Sequence, residues 1–237
     1  MAIKAVFFDW FNTLARYEPA RDESAHQVMR EYGYEVTLDK VRQAMAGADK
    51  DWFEENARSP IRLRSVAEQA KAYARHHQLI LLGAGINLSA KPELLAKIVT
   101  RMQSLSSAMH FVLFNDVVPA LKSVRERKLA IGLLTNLDRD MAAMCRELGI
   151  GSYIDVTVTS GEIGVDKPDP RIFQAALKRA NVAATEAVLV GDQYKNDILG
   201  ARGVGMKGIL IDRQDMLSDI TDCPRLRTLT EVVNYLK

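Results

Sequence analysis

The pattern of apolar and polar residues divides the chain into two kinds of region. Residues 3–8 form a short apolar run, rich in Ile, Val and Phe, that ends at Asp9 and predicts a buried strand. From about residue 108 onward, similar short runs alternate with helical patterns. The strands predicted there span residues 130–134, 153–159, 187–190 and 208–211. Strands that alternate with helices are typical of a parallel sheet covered on both faces.

Between these regions the pattern changes character, because residues 15–107 contain almost no strand-like runs. Helical patterns with polar faces lie near residues 20–32, 38–57, 62–82 and 90–106, and Thr37 and Ser89 are predicted N-caps. Four consecutive helices predict a small bundle. The simplest organisation is one α/β core, residues 1–14 and 108–237, interrupted by a helical insertion of residues 15–107.

Arginines and histidines in the insertion give only weak indications of function. Arg16, Arg21 and Arg30 flank its start, and we interpret them as solvated charges, with a substrate carboxylate as the alternative partner for one of them. His76 and His77 are adjacent and therefore point to different sides of a helix. We expect a partly exposed helix face there rather than a metal site.

Composition narrows the class of protein. The 237 residues carry 32 Lys and Arg against 30 Asp and Glu, so the net charge is only +2 and gives no basic footprint for nucleic acid or an anionic membrane. The start of the chain lacks the apolar stretch of a secretory signal, and no run approaches the ~20 apolar residues of a membrane span. Two cysteines are read as reduced thiols. We therefore expect a cytoplasmic protein that acts on a small molecule.

Polar side chains with useful chemistry follow the predicted strands. Asp9 follows the first strand, Thr135 the second and Asp192 the fourth, and Lys167 lies in a turn before a predicted helix. Ligands of an open parallel sheet bind outside the carboxyl ends of its strands, so these groups are expected to meet at one edge. Carboxylates, hydroxyl and amide donors and one lysine suit an anionic phosphate group together with a hard cation such as Mg²⁺.

Four short motifs occur in order along the core. They are Phe8-Asp9-x-x-x-Thr13-Leu14, Leu134-Thr135-Asn136, Lys167-Pro168-Asp169-Pro170 and Gly191-Asp192-x-x-x-Asn196-Asp197. With these motifs the chain resembles the haloacid dehalogenase superfamily of hydrolases. The resemblance covers the whole core and implies a Rossmann-like, doubly wound parallel sheet with an α-helical cap inserted after the first motif.

The resemblance also implies roles for the residues that match the motifs. Asp9 would be the nucleophile, and Lys167 would neutralise charge on Asp9 and on the phosphate. Thr13, Thr135 and Asn136 would bind the transferred group. The cap would close over the substrate and set specificity.

A magnesium ion is the cofactor that the resemblance implies. Its ligands would be Asp9, the backbone carbonyl of Phe11, and Asp192. Asp197 would be an outer carboxylate of the same site, although its position near a predicted helix start also suits a structural role.

One departure from the family pattern concerns position 11. The family's phosphatases have a second aspartate there, which acts as general acid and base, whereas this chain has Phe11. General acid–base help contributes ~10²–10⁴ in rate, so slow turnover of ordinary alkyl phosphates is expected. Asn12 replaces the usual glycine and tolerates a left-handed backbone better than most residues.

Three functions stay open on the sequence. Asp192 and Asp197 favour a metal-dependent phosphatase that forms an aspartyl-phosphate on Asp9. The aromatic Phe11 favours a metal-independent 2-haloacid dehalogenase, since that branch carries an aromatic residue at this position. A catalytically weakened binding or regulatory module is the third reading. The sequence indicates neither the substrate nor the oligomeric state.

Overall fold

The computed structural model describes residues 2–236, which separate into two compact units. The first unit, called the core unit, comprises Met1–Arg16 and Val112–Lys237. The second, called the helical unit, comprises Tyr17–Phe111. Each unit has its own packed interior and is described by itself.

Eight strands are present in the described residues. They are β1 (Ala5–Phe8), β2 (Ala15–Glu18), β3 (His110–Leu113), β4 (Ala130–Thr135), β5 (Val156–Thr159), β6 (Ala187–Gly191), β7 (Lys207–Ile211) and β8 (Arg225–Leu226). Six of them form the sheet of the core unit in the order β5-β4-β1-β6-β7-β8. All its paired neighbours are parallel, and β1 lies between β4 and β6. The predicted α/β class with a parallel sheet is confirmed.

The α-helices are shared between the two units. They are α1 (Arg21–Glu31), α2 (Leu38–Arg58), α3 (Val66–Gly83), α4 (Pro92–Ser107), α5 (Val117–Glu126), α6 (Met141–Glu147), α7 (Ser160–Ile163), α8 (Pro170–Ala180) and α9 (Gly200–Gly203). A π-helical turn, Tyr194–Leu199, precedes α9, and a 3₁₀ segment, Leu229–Tyr235, ends the described chain. Both stand where the sequence predicts α-helix.

The first strand is buried because both faces of the sheet are covered. All four residues of β1 are buried, as expected of a parallel strand with helices on either side. Phe7 packs with Ile172 and Phe173 of α8. A Cβ at Gly132 would lie 2.2 Å from the Phe7 ring, so the glycine of the adjacent strand makes room for this side chain.

The interior of the helical unit is formed by α1 to α4. Its buried side chains include Val28, Met29, Leu81 and Ile98. Among the described residues, no helix combines the length and the apolar character that crossing a membrane requires. The four helices of this unit share an apolar core of their own.

Helix starts in this unit follow the capping rules, but not always at the predicted residues. Thr37 caps α2 as predicted, with its side chain accepting from the Lys40 amide. Ser89 does not cap α4, which begins at Pro92 after Lys91. Instead Ser65 forms a reciprocal capping box with Glu68 and starts α3, three residues later than the sequence pattern predicts.

Three strands were not predicted, and one of them, β8, has only two residues and lies at the edge of the large sheet. β2 and β3 pair in a two-stranded sheet, and the chain passes from one unit to the other within them. Each has four residues and includes charged or imidazole side chains such as Arg16, Glu18 and His110. β2 lacks the apolar run on which strand prediction depends, whereas β3 contains a short one, Phe111-Val112-Leu113, that was not assigned to a strand.

Candidate active site

The candidate site lies at the carboxyl ends of three adjacent strands of the core unit. Asp9 follows β1, Thr135 is the last residue of β4, and Asp192 follows β6. Since β1 pairs with both β4 and β6 in parallel, these residues emerge at the same edge of the sheet.

Lys167 holds two of the acidic side chains. Its Nζ donates to Asp9 Oδ1 at 2.7 Å, to Asp197 Oδ1 at 2.6 Å and to the carbonyl oxygen of Leu134 at 2.9 Å. The side chains of Lys167, Asp9 and Asp197 are almost completely buried. The three donors of the ammonium group are thus all used, which fixes the orientation of Asp9.

Asn136 holds the segment that carries Lys167. The Asn136 Oδ1 accepts from the Lys167 amide at 2.7 Å, and its Nδ2 donates to the Lys167 carbonyl at 3.2 Å. The Ser160 hydroxyl donates in turn to the Asn136 carbonyl at 3.0 Å. The amide predicted to bind phosphate therefore also positions the lysine. It does not cap α6, whose N-cap is Asp140.

Asp197 is brought into the cluster by two local features. Its Oδ2 accepts from the Gln193 amide at 3.0 Å within the π-helical turn. A Cβ at Gly191 would lie 2.3 Å from the Asp197 carboxyl carbon, so only glycine leaves room for this approach. Both oxygens of Asp197 are occupied, by Lys167 and by Gln193, which suits an outer rather than a direct metal ligand.

Asp192 has a different environment from its neighbours. Its Oδ1 is buried and has no hydrogen-bond partner within the described residues. The Asn12 side chain is near enough to the Asp192 carboxylate to lower the pKa of that group, although burial and the neighbouring charges outweigh this effect. Asn12 has a φ of +59°, the left-handed conformation that the sequence predicted it would tolerate, but its contact with Asp192 was missed. No periodic or motif signal connects these two residues, which are far apart in the chain.

The acidic cluster fits a divalent cation. One carboxylate oxygen from each of Asp9, Asp192 and Asp197 lies within 4.8 Å of the others. Three carboxylates facing a single ammonium group leave two negative charges in excess when all are ionised. A buried carboxylate oxygen without a donor is costly unless a cation or ligand satisfies it. Oxygen ligands of this kind are those that Mg²⁺ prefers.

Burial and mutual repulsion raise the pKa values of two carboxyl groups, those of Asp9 and Asp192. Burial is the largest influence on Asp9 and outweighs the attraction of Lys167, so the pKa of Asp9 rises to about 6. Burial, followed by the charges of Asp9 and Asp197, raises the pKa of Asp192 well above its ordinary value. Burial by itself would lower the pKa of Lys167, but the charges of Asp197 and Asp9 outweigh burial. The net pKa is therefore raised, and the lysine stays protonated. Perturbed groups that share one cleft are typical of a functional site.

The remaining predicted site residues, Thr13, Thr135 and Phe11, are buried or half-buried. The Thr13 side chain is completely buried, and its hydroxyl has no hydrogen-bond partner in the described part of the chain. Thr135 is also buried, and its hydroxyl accepts from the Leu137 amide at 3.3 Å. Phe11 is half-buried and forms an isolated bridge with Ala15. Its side chain has no group that transfers a proton.

Comparison with known proteins assigns the family. A model described as haloacid dehalogenase-like hydrolase matches residues 3–205. The chain belongs to the haloacid dehalogenase-like hydrolases. The family, the fold and the hydrolase class predicted from the four motifs are thereby confirmed.

Individual members of this family align along nearly the whole chain. The glyceraldehyde 3-phosphate phosphatase of Methanopyrus kandleri is 32% identical over 99% of this chain and 98% of its own length. The enzyme of the same name from Methanothermobacter thermautotrophicus is 28% identical over 94% and 89%. A solved structure of a haloacid dehalogenase-type hydrolase from Bacillus subtilis, bound to magnesium, has a TM-score of 0.69 at 15% identity over 100% and 99% of the two chains. That last likeness concerns the fold.

Proposed function

We propose that this hydrolase is a magnesium-dependent phosphatase that acts on a small phosphorylated metabolite and uses Asp9 as its nucleophile. The observation that supports the proposal most is the Asp192 Oδ1, a buried carboxylate oxygen without a donor in a cluster with two excess negative charges. A metal-independent reaction would leave that oxygen unsatisfied. The relatives named as glyceraldehyde 3-phosphate phosphatases support a small phosphorylated substrate.

The proposed reaction has two steps on the side chain of Asp9. In the first, a carboxylate oxygen of Asp9 attacks phosphorus, a bond forms between them, and the bond from phosphorus to the leaving oxygen breaks. In the second, water attacks phosphorus and releases phosphate and free Asp9. Bound Mg²⁺ would act as a Lewis acid on the phosphoryl oxygens.

The chain's own residues would prepare Asp9 for the first step. Lys167 orients one Asp9 oxygen at 2.7 Å and offsets part of the charge of the cluster. Thr13, Thr135 and Asn136 are the proposed donors to the transferred group. Asp192 and Asp9 would ligate the metal together with the Phe11 carbonyl, and Asp197 would support them from the outer shell.

Phe11 shapes the expected substrate preference. The leaving oxygen needs a proton when it departs as an alkoxide, and Phe11 has none to give. The leaving groups of aryl and acyl phosphates depart without that help, because they are weaker bases. We therefore propose that the enzyme turns over such esters faster than simple alkyl phosphates.

The test compares phosphate release from p-nitrophenyl phosphate, glyceraldehyde 3-phosphate and a simple alkyl phosphate, each with Mg²⁺ and with EDTA. In Mg²⁺ we expect the fastest release from p-nitrophenyl phosphate and slower release from the two alkyl phosphates, glyceraldehyde 3-phosphate included, and we expect EDTA to abolish all three. Equal rates in EDTA would contradict the role of the metal.

A parallel assay distinguishes the proposed phosphatase from a 2-haloacid dehalogenase. Halide release from a panel of short 2-haloacids in EDTA, with no phosphate release in Mg²⁺, would replace the proposed function. Absence of both activities, together with failure of Mg²⁺ and beryllium fluoride to stabilise the protein, would favour a binding module.

A further inference from the structure

Arg213 connects the turn that follows Asp9 to a second part of the core unit. Its Nη2 donates to the Thr13 carbonyl at 2.7 Å and its Nε to the Asn12 carbonyl at 3.2 Å. The same guanidinium forms a bidentate pair with Asp116, with distances of 2.8 and 3.0 Å. Arg213 and Asp116 side chains are only 16% and 15% exposed, so this is a largely desolvated contact.

Asp116 is itself held from two directions. Its Oδ2 accepts from the Thr228 hydroxyl at 2.9 Å and from the Leu229 amide at 2.7 Å. The Arg213 guanidinium also lies 3.8 Å from the centroid of the Phe114 ring. A planar guanidinium that is stacked and bonded on both edges has little freedom to move.

The turn held by Arg213 contains a residue with an unfavourable backbone conformation. Asn12 has a φ of +59°, in the left-handed region that favours glycine. Its side chain is near enough to the Asp192 carboxylate to lower the pKa of that group. Arg213 therefore binds the carbonyl of Asn12. Asn12 in turn joins the turn after Asp9 to Asp192, at the end of β6.

We infer that Arg213 is a positioning residue for the reaction, acting through the backbone of Asn12 and Thr13. It holds the turn in the conformation that aims the Asn12 side chain at Asp192 and fixes the backbone immediately after Asp9. The catalytic part of this inference rests on the proposed function, whereas the ordering of the turn does not. Misplacement of reacting groups by about 1 Å costs about a hundredfold in rate.

The first experiment measures hydrogen exchange in the apo protein and needs no substrate. Arg213→Met removes the donors while keeping an unbranched apolar chain in place of the methylene groups of arginine. We expect at least about tenfold faster exchange of the amides of Asn12, Leu14 and Ala15, which are bonded within this turn. Arg179→Met is the matched control, because Arg179 also donates to a carbonyl, that of Thr157, and to a carboxylate, that of Glu162.

The second experiment measures turnover by the same variants on the best substrate of the wild type. We expect Arg213→Met to lower kcat by about 10- to 100-fold with KM changed less than about threefold. Arg213→Lys keeps the charge but cannot bind both carbonyls and Asp116 at once, so an intermediate kcat is expected. Should the Met variant fail to fold, the Lys variant carries both measurements.

The outcomes separate the two proposals. Unchanged exchange in the turn, or faster exchange with unchanged kcat, would overturn the role of Arg213. Equal effects in Arg179→Met would overturn it as well, because they would indicate a general loss of stability. If the wild type releases no phosphate from any ester, the proposed function fails while the exchange experiment still decides whether Arg213 orders the turn.

Discussion

Each unit of this hydrolase buries a cluster of charged side chains, and the two clusters are balanced differently. In the helical unit, Arg21 pairs with Asp49 through both guanidinium nitrogens at 2.8 and 3.0 Å, and His76 Nε2 lies 2.8 Å from the same carboxylate. In the core unit, three carboxylates share Lys167. In the helical unit, each oxygen of the carboxylate has a cationic partner. In the core unit, three carboxylates share a single cationic side chain.

The pKa values show the consequence. Burial raises the pKa of both Asp9 and Asp49, but Arg21 and His76 outweigh it for Asp49, whose pKa falls to about 2. For Asp9, Lys167 does not outweigh burial, and the pKa rises to about 6. Both carboxylates are largely buried, yet their pKa values shift in opposite directions, because Asp49 is paired with Arg21 and His76 whereas Asp9 shares Lys167 with Asp197 and is repelled by Asp197. A satisfied cluster stabilises a fold, whereas an unsatisfied one indicates a place for a cation.

The largest expected effect tests this reading of the core unit. Asp9→Asn should lower kcat by at least about a thousandfold, because the nucleophile is lost. Stability should stay the same or rise, since one charge leaves an overly negative cluster. Phosphate release and thermal unfolding of the purified variant measure both.

Asp212 provides a matched control for this substitution. It is similarly buried and follows β7 of the same sheet, but its carboxylate accepts from the amides of Met216 and Leu217 and from Arg225. Asp212→Asn should lower stability and leave kcat nearly unchanged. A loss of stability in Asp9→Asn as large as that in Asp212→Asn would contradict the contrast between satisfied and unsatisfied carboxylates.

The second prediction concerns the added cation. Mg²⁺ at 100 times its dissociation constant should stabilise the folded wild type by about 2.7 kcal/mol. Asp192→Asn should remove most of that gain, because it converts the unpartnered oxygen into a neutral amide oxygen. Thermal unfolding with Mg²⁺ and with EDTA gives the difference, and Asp49→Asn should keep the full gain. The same Mg²⁺ gain in Asp192→Asn as in the wild type would remove Asp192 from the metal site.

The third prediction concerns the cluster of Arg21, Asp49 and His76 in the helical unit, where both carboxylate oxygens have partners. Asp49→Asn should destabilise the protein by about 2–4 kcal/mol, because Arg21 and His76 lose the carboxylate that they share. The side chains of Arg21 and Asp49 are 26% and 22% exposed, which places the loss at the lower end. Denaturant unfolding measures it, and Asp51→Asn, at a more exposed ion pair with Arg75, is the control. Equal losses in both variants would show that burial of the cluster adds nothing.

The pH dependence of that loss has a definite sign. The folded pKa of Asp49, about 2, lies below its ordinary value of 3.8, so its contacts stabilise the fold fully above pH ~4. That contribution, about 2 kcal/mol, should be lost as the pH falls from about 4 to about 2. Unfolding curves of Asp49→Asn should therefore change less over this range than those of the wild type. A parallel pH dependence of the two proteins would contradict the lowered pKa.

The sequence predicted which side chains meet at one edge of the core sheet, because parallel strands bring their carboxyl ends together there. Asp9, Thr135 and Asp192 could be assigned to that edge from strand pattern alone, and Lys167 from its motif. His76 was wrongly expected on a partly exposed face, since its partner Asp49 lies 27 positions away. Adjacent histidines give no sign of which one turns inward.

Contacts between distant residues explain most of what the sequence left out. Arg213 and Asp116 are 97 positions apart, and no pattern within either segment indicates their pairing. The need for glycine at position 191 depends on the approach of Asp197, which only the folded backbone reveals. The sequence therefore predicts the chemistry at the strand ends better than the contacts that hold it in place.

The smallest effect tests whether ordinary polar contacts of the helical unit serve stability alone. Ser65→Ala should lower stability by about 1 kcal/mol, because the Glu68 amide loses its acceptor and the capping box at the start of α3 is lost. Ser89→Ala is the control, since Ser89 bonds to Asn87 in an exposed turn and caps no helix. Both variants should keep the full stabilisation by Mg²⁺, which thermal unfolding measures in the same experiment. A smaller gain from Mg²⁺ in Ser65→Ala would mean that the helical unit contributes to the metal site, and the contrast between the two clusters would then fail.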